Sequence, residues 1–213
     1  MKRTLLAATL LALALPALQG CVPAVATGVG AGALMIVDRR NAETYLADEA
    51  IEIRAFNRIN EKFGDKVHVN VTSYNMKVLL TGEVPDEGIK SELEKAIAGI
   101  ANVKGVTNEV TVGPASGYQA RSNDTFITSK VKARFIDASK FKANHVKVVT
   151  EAGTVFLLGL VTRQEADDAA EIARTTAGVK KVVRVFEYVQ IREAQQLDSR
   201  PPEEAKQKPA EAK

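Results

Sequence analysis

Two apolar runs in this chain are typical of buried β-strands, and they share one pattern. They are Lys77–Val84 (KVLLTGEV) and Thr154–Val161 (TVFLLGLV). Leucine and β-branched side chains suit a pleated surface, and a glycine near the end of a strand marks a bulge or a close approach of backbones. Gly82 and Gly159 hold the same place in the two runs, about 77 residues apart. The pattern predicts one small domain that is present twice.

The segments around these runs follow the same order of helix and strand patterns in both copies. In the first copy we predict a helix at 48–63, strands at 67–71 and 77–84, a helix at 85–100 and a strand at 106–112; in the second, a helix from 124 to about 138, strands at 145–150 and 154–161, a helix at 163–177 and a strand at 181–189. Asp48 and Asp124 are expected at the N-terminal ends of their helices, Asp124 as an N-cap. The order αββαβ predicts an α+β fold, in which each module is a three-stranded mixed sheet with two helices packed on it.

Composition divides the chain into six segments. They are a signal peptide at 1–20, a lipidated tether at 21–47, the first module at 48–112, a linker at 113–123, the second module at 124–190 and a disordered tail at 191–213. Lys2 and Arg3 precede an apolar stretch that is too short to span a bilayer, which is typical of a secretion signal. The tail lacks the apolar residues that a core needs. We expect little packing between the modules, so that the first folds independently.

The single cysteine follows the signal segment directly. Leu18–Cys21 (LQGC) resembles the lipobox of bacterial lipoproteins, whose cysteine is lipidated, with palmitate among its acyl chains, and becomes the N-terminus. Cys21 has no second cysteine for a disulfide, which favours this interpretation over a buried cysteine after an ordinary signal peptide. Multiple acyl chains would anchor the protein to a membrane. An Asp directly after the lipidated cysteine would resemble an inner-membrane retention signal, but the residue after Cys21 is Val22. We therefore expect the protein in the outer membrane, facing the periplasm.

Charge and motifs narrow the functional classes. The net charge of +3 gives no overall argument for a nucleic-acid partner. No paired cysteines, metal-binding histidine motif, nucleophile elbow or phosphate-binding loop occurs in the sequence. His68 and His145 hold equivalent places with no second ligand near them in sequence, so we expect a structural role. We therefore predict that the protein is not an enzyme and has no cofactor or metal site.

The first helix of the second copy carries apolar residues on a second face, in addition to the stripe expected to face the sheet. Ile127, Val131 and Phe135 form the stripe that should face the sheet. A different face carries Phe126, Lys130, Ala133 and Ile136, with a basic rim of Lys130, Lys132, Arg134, Lys140 and Lys142. Phe126 and Ile136 correspond to Ala50 and Asn60 in the first copy, so this extra apolar surface is expected only in the second.

The net charge of the two copies also differs in sign. Residues 48–112 contain 8 basic and 11 acidic residues, whereas residues 124–190 contain 11 basic and 8 acidic residues. Exposed apolar groups within a basic rim are typical of a helix that docks on an anionic membrane. The alternative is that Phe126 and Ile136 pack against the first module or the linker.

Two segments carry a resemblance to a known family. Ser122–Val131 (SNDTFITSKV) and Val155–Thr162 (VFLLGLVT), within an αββαβ module, resemble the BON domain. Two such modules behind a lipobox resemble the dual-BON-domain lipoproteins of the Gram-negative outer membrane. The resemblance implies an envelope protein, associated with envelope integrity and cell division, that binds anionic phospholipid through the first helix of its second module. A tryptophan is familiar in that family at the position of Phe126, which lacks the indole N–H that suits the interface.

The resemblance and the helix pattern together select a candidate phospholipid site. Its residues are Phe126, Lys130, Ala133, Arg134 and Ile136, with Cys21 as the separate lipidation site. We expect an anionic phospholipid membrane as the partner, and envelope proteins as possible further partners. The alternative function is a periplasmic protein-interaction adaptor that uses the same exposed patch.

Overall fold

The computed structural model describes residues 39–200. The signal peptide, Cys21, the tether up to residue 38 and residues 201–213 of the tail lie outside the described residues. The first module contains α1 (Ala42–Phe63), β1 (His68–Tyr74), β2 (Lys77–Val84), α2 (Glu87–Ala98), β3 (Gly105–Asn108) and β4 (Thr111–Val112). The second contains α3 (Tyr118–Ala138), β5 (Lys147–Glu151), β6 (Thr154–Val161), α4 (Arg163–Arg174) and β7 (Lys181–Tyr188), and α5 (Ile191–Asp198) follows it. The predicted αββαβ order is confirmed in both copies.

Each module is built on a mixed sheet with its long apolar strand in the middle. In the first module β1 pairs antiparallel with β2, and β3 and then β4 run parallel beside β2. The predicted third strand is therefore interrupted, at Glu109 and Val110. In the second module β5 is antiparallel and β7 parallel to β6. The central strands are apolar because both of their faces are covered.

The predicted helix stripes do face the sheets. Ile127, Val131 and Phe135 of α3 are fully buried against β6 and α4. In the first module the equivalent residues Ile51 and Ala55 of α1 are fully buried, in the core formed with β2 and α2. Each helix thus presents one apolar stripe to its own sheet, as the 3.6-residue period requires.

The two repeated glycines mark a close approach of backbones, as the strand pattern predicts. A Cβ atom at Gly82 would lie 2.1 Å from the carbonyl oxygen of His68, and one at Gly159 would lie 2.4 Å from that of His145. Neither backbone can move without breaking the hairpin. This contact also places each histidine directly beside its own glycine, so His68 and His145 are structural equivalents.

The two sheets pack face to face, which contradicts the expectation that little packing passes between the modules. Leu79 of β2 points away from its own helices and joins Tyr74 in a buried cluster with Phe156 and Leu158 of β6. Polar contacts surround this cluster, including a 2.8 Å ion pair between Lys77 and Glu187 and a 3.1 Å ion pair between Lys147 and Glu52. Each sheet is therefore covered by helices on one face and by the other sheet on the second face.

Both long helices begin earlier than the sequence pattern predicts. Asn41 caps α1 by accepting a hydrogen bond from the Thr44 backbone N–H at 2.7 Å, and Gly117 precedes α3. Asp124 is consequently not an N-cap but a buried residue within α3, and Asp48 is buried within α1. Part of the predicted linker, from Tyr118 onward, is helical.

A short helix stands where the sequence predicts disorder. α5 follows β7 and buries Ala194. Its last residue, Asp198, accepts a 2.8 Å hydrogen bond from Nε of Arg39, which precedes α1. The prediction of a disordered tail is therefore wrong for residues 191–198. None of the helices in the described part of the chain combines the length and apolarity needed to cross a bilayer.

Candidate functional site

The outward face of α3 carries the two large apolar residues that the sequence singles out. Phe126 is 62% exposed and Ile136 is 65% exposed, and Ala133 between them is also exposed. Neither large side chain belongs to the apolar cluster between the two sheets. At about 100° per residue, positions 126, 133 and 136 share the helix face opposite to the buried stripe of Ile127 and Val131. The structure therefore brings these three predicted site residues together on one solvent-facing surface.

Lys130 and Arg134 lie beside this face, but both also hold α3 to the rest of the module. The ammonium of Lys130 lies 4.7 Å from the centre of the Phe126 ring and donates a hydrogen bond to the Ala177 carbonyl. Nη1 of Arg134 donates to the Ile172 carbonyl and the Thr176 hydroxyl, both at 2.8 Å. Two of these bonds go to backbone carbonyls at and after the C-terminal end of α4, where positive charge is favourable. Arg134 is half-buried, and part of its guanidinium is already hydrogen-bonded within the module.

The remaining basic residues form the predicted rim. Lys132 and Lys142 are exposed, and Lys140 pairs with Asp168 at 2.8 Å. A hydrogen bond from Lys140 lowers the pKa of the Asp168 carboxyl. Beside Ile136 a shallow hollow is lined by Ser139, Phe141, Lys142, Ala143 and Asn144. The surface therefore has an apolar centre with basic residues at its edge. It also carries one exposed acidic residue, Asp137, next to Ile136 in sequence.

The first module also exposes large apolar residues, which corrects the expectation that only the second does so. Leu46 and Ile53 of α1 are each 61% exposed, and Phe56 is 63% exposed. They do not occupy the positions equivalent to Phe126 and Ile136, although they too lie on the side of the helix opposite its buried stripe. Glu49 and Glu52 line the same hollow as Ile53 and Phe56. Acidic residues therefore border Ile53 and Phe56 on the side of this hollow, whereas basic residues border the apolar face of α3.

A polar cluster at the module interface was missed by the sequence analysis. Nδ1 of His68 lies 2.8 Å from Oε2 of Glu83, and Glu151 of the second module lies close to both. The expectation that His68 has no ligand-type neighbour is therefore wrong. Glu83 could have been found from the hairpin register, because a two-residue turn after Tyr74 places His68 opposite Glu83. Glu151 could not have been found, since it arrives through the packing of the two sheets.

The equivalent histidine has different surroundings. Nε2 of His145 lies 3.4 Å from Asp198, and its buried Nδ1 lies 3.7 Å from Glu165 without a hydrogen-bond partner among the described residues. Arg39 lies between the two carboxylates, donating to Glu165 at 2.7 and 2.8 Å and to Asp198 at 2.8 Å. Burial would raise the pKa of both carboxyls, but the bonds and positive charge around them outweigh it and lower both pKa values. This second cluster attaches α5 to the N-terminal end of α4.

Comparisons with known proteins agree with this architecture. The BON domain model matches residues 48–114 and 123–190. The outer membrane lipoprotein DolP of Haemophilus influenzae is 40% identical over 174 residues, which cover 81% of this chain and 90% of that protein. The 21 kDa hemolysin of Actinobacillus pleuropneumoniae is 39% identical over 156 residues, which cover 72% and 80% respectively. The osmotically-inducible protein Y of Escherichia coli is 33% identical over 120 residues, 54% of this chain and 58% of that protein.

The two family matches fall on the two modules of the fold, and the first two relatives match stretches too long to lie within one module. The matched segments include the repeated hairpins and the helices packed on them. The first-named relative is similar over nearly its whole length, so the similarity extends beyond a single shared domain. This chain belongs to the family of outer-membrane lipoproteins that carry two BON domains.

Proposed function

We propose that this lipoprotein is anchored through Cys21, has no enzymatic activity, and binds anionic phospholipid through the outward face of α3. The binding residues are Phe126, Ala133 and Ile136 in the centre, with Lys130 and Arg134 beside them. The observation that carries the proposal is the exposure of two large apolar side chains within a basic rim. Each apolar side chain would gain about 1.5–3 kcal/mol on full burial in the membrane.

The basic rim would add to this apolar gain. A lysine or arginine near an anionic surface contributes about 1 kcal/mol. Lys132 and Lys142 are exposed and can approach headgroups without breaking a bond inside the module. Lys130 shields the Phe126 ring on one side and would remain at headgroup depth while the ring inserts. Arg134 would contribute mainly by keeping its positive charge beside the apolar face, because its Nη1 is already bonded to Ile172 and Thr176.

The first module serves as an internal comparison for this proposal. Phe56 of α1 is as exposed as Phe126, but acidic residues border it and its module contains more acidic than basic residues. An anionic membrane should repel that surface. If exposed phenylalanine alone determined binding, both helices would bind vesicles; if the basic rim is also needed, only α3 would.

Vesicle binding tests the proposal. We would use a fragment of residues 38–200, because acyl chains on Cys21 would attach the full protein to any bilayer. Phe126→Glu and Ile136→Glu should each abolish co-sedimentation with phosphatidylglycerol vesicles, since a carboxylate resists burial and repels the headgroups. Phe56→Glu is the matched control and should bind like the wild type. Circular dichroism should show an unchanged fold in all three variants.

Two outcomes of this experiment would contradict the proposal. One is wild-type binding by both Phe126→Glu and Ile136→Glu. The other is loss of binding by Phe56→Glu, which would move the site to the first module. The exposed apolar residues Leu46, Ile53 and Phe56, the last two with glutamates beside them, favour a second candidate function, that of a protein-interaction adaptor. In that case the wild-type fragment would not sediment with anionic vesicles at all.

A further inference from the structure

The interface between the sheets changes character along its length. At one end it is the apolar cluster of Tyr74, Leu79, Phe156 and Leu158. At the other end, Thr81 and Glu83 follow Leu79 on the same face of β2, and both are buried. Buried polar groups are costly unless a specific partner compensates them. The polar end of the interface therefore requires an explanation that the apolar end does not.

We propose that His68, Glu83 and Glu151 bind one divalent metal ion, with zinc as the best match, and that this ion joins the two modules. His68 and Glu83 come from neighbouring strands of the first module, and Glu151 comes from β5 of the second. Their ligand atoms all lie within 4.8 Å of one another, and His68 Nδ1 lies 2.8 Å from Glu83 Oε2. Tetrahedral zinc with bonds of about 2.0–2.2 Å separates its ligand atoms by about 3.3 Å, which lies between these two values.

The charge of the cluster supports the same conclusion. Glu83 is 8% and Glu151 is 9% exposed. Among the described residues, neither carboxylate forms an ion pair with a lysine or an arginine; Glu151 accepts from Asn70 at 2.8 Å and from Thr81 at 3.3 Å. An imidazole that binds a metal is neutral, so a divalent cation would balance the negative charges of both carboxylates.

The second histidine cluster shows how the same fold compensates such a pair by other means. There the carboxylates of Glu165 and Asp198 are bridged by the guanidinium of Arg39. His145 is the equivalent of His68, but a strand leucine, Leu160, occupies the position of Glu83. A histidine beside a strand glutamate at these positions therefore occurs only in the first copy. Among the described residues, no arginine forms an ion pair with Glu83 or Glu151.

The chemistry of the three side chains selects the kind of ion. One imidazole and two carboxylates suit zinc, whereas magnesium and calcium prefer ligand sets made of oxygen alone. Three protein ligands leave a fourth position for water. An open cleft lined by His68, Asn70, Glu151, Thr128 and Lys132 connects the cluster with solvent, so an ion has a path to enter.

Calorimetric titration of Zn²⁺ into the metal-stripped full-length chain in detergent micelles tests the proposal. The wild type should bind one equivalent more than Glu83→Gln/Glu151→Gln, and Zn²⁺ should raise its Tm while equimolar Mg²⁺ does not. Loss of a residue that only hydrogen-bonds to a metal ligand weakens metal binding roughly 10–100-fold, so loss of two ligands should weaken it at least as much. Gln keeps the volume and hydrogen bonding of each side chain, so the metal-free variant should remain folded.

Glu52→Gln is the matched control, because Glu52 is an interface carboxylate outside the cluster. It should bind Zn²⁺ like the wild type. Zinc K-edge absorption should show a single imidazole among oxygen ligands. Equal Zn²⁺ binding by the wild type and the double variant, or an equal Tm shift with Mg²⁺, would overturn the proposal. If the double variant does not fold, His68→Gln alone must remove the imidazole signal, and a signal that persists would equally overturn it.

Discussion

Two buried aspartates show how one residue can organise each module. Asp124 of α3 accepts hydrogen bonds from the backbone N–H groups of Ala152 and Gly153, both at 2.8 Å. Those two residues form the turn between β5 and β6 and have positive φ angles. Asp48 of α1 bonds to the equivalent turn of the first module in the same way. A carboxylate of the first helix thus satisfies the turn of the hairpin that packs on it.

Asp124→Ala should therefore destabilise the protein far more than an ordinary helix substitution. It leaves two backbone donors of a tight turn without their charged acceptor, and we expect a loss of about 2–4 kcal/mol in the free energy of unfolding. Urea denaturation followed by circular dichroism measures this loss. Asp137→Ala, an exposed residue on the same helix, should change stability by less than about 0.5 kcal/mol. Equal effects of the two substitutions would contradict the role of Asp124.

At the scale of elements, α5 is attached to the second module largely through charge. Glu165 caps α4 by a reciprocal pair of bonds with Thr162 and also binds Arg39, which in turn binds Asp198 at the end of α5. Three distant parts of the chain therefore meet in one network. Local periodicity cannot reveal such a network, because each partner is an ordinary charged residue within its own segment.

The lowered pKa values of Glu165 and Asp198 predict how this attachment depends on pH. Burial opposes ionisation of both carboxyls, but the contacts with Arg39 and His145 outweigh it, so both pKa values lie below those in the unfolded chain. Their contribution to stability is complete above the ordinary values of 4.5 and 3.8, and it is lost as pH falls toward the lower folded-state values. Glu165→Gln should therefore lower the Tm most at neutral pH, and this difference from the wild type should shrink progressively as the pH falls below 4.5. Glu171→Gln, an exposed residue of α4, is the control, and a pH-independent effect of Glu165→Gln would contradict the account.

Local pattern predicted most elements but misplaced their ends. The alternation in β1 and the apolar stripes of α1 and α3 follow from periodicity, and the close approach at Gly82 and Gly159 follows from the repeated glycine. The start of α3 was misplaced because an aspartate before an apolar run is also the usual sign of an N-cap. α5 was missed because it buries a single alanine and depends on Arg39 rather than on an apolar face.

At the scale of the whole molecule, the two modules share a core. The faces of the candidate phospholipid site could be predicted, since α3 must turn one side to its sheet and the other to solvent. The packing of sheet on sheet was not predicted, although the sequence contains a signal for it: Leu79 and Leu80 are neighbours in β2 and so point to opposite faces, and the structure buries both. A strand that is apolar on both faces needs two covers, and its own helices supply only one.

Leu79→Ala should consequently destabilise both modules together. It removes a buried side chain from the cluster between the sheets, which costs about 2–5 kcal/mol. Thermal unfolding should show one transition at a lower temperature, with hydrogen exchange accelerated in β2 and β6 alike. Leu46→Ala, an exposed leucine of α1, is the control. Acceleration confined to the first module would show that the sheets do not share a core.

The composition of the chain allows a direct measurement of membrane contact. The sequence contains no tryptophan, so Phe126→Trp places a single indole at the centre of the proposed lipid face. Phe56→Trp places one at an equally exposed position on the first module. Both substitutions exchange one exposed aromatic ring for another, so neither should disturb the core.

Emission spectra of these two variants of the 38–200 fragment, with and without phosphatidylglycerol vesicles, show directly which helix enters the membrane. We expect the emission of Phe126→Trp to shift to the blue and to be quenched by brominated acyl chains, because the ring enters the bilayer. The emission of Phe56→Trp should not change. An unchanged spectrum for Phe126→Trp, or an equal shift for both variants, would contradict the claim that α3 of the second module binds the membrane.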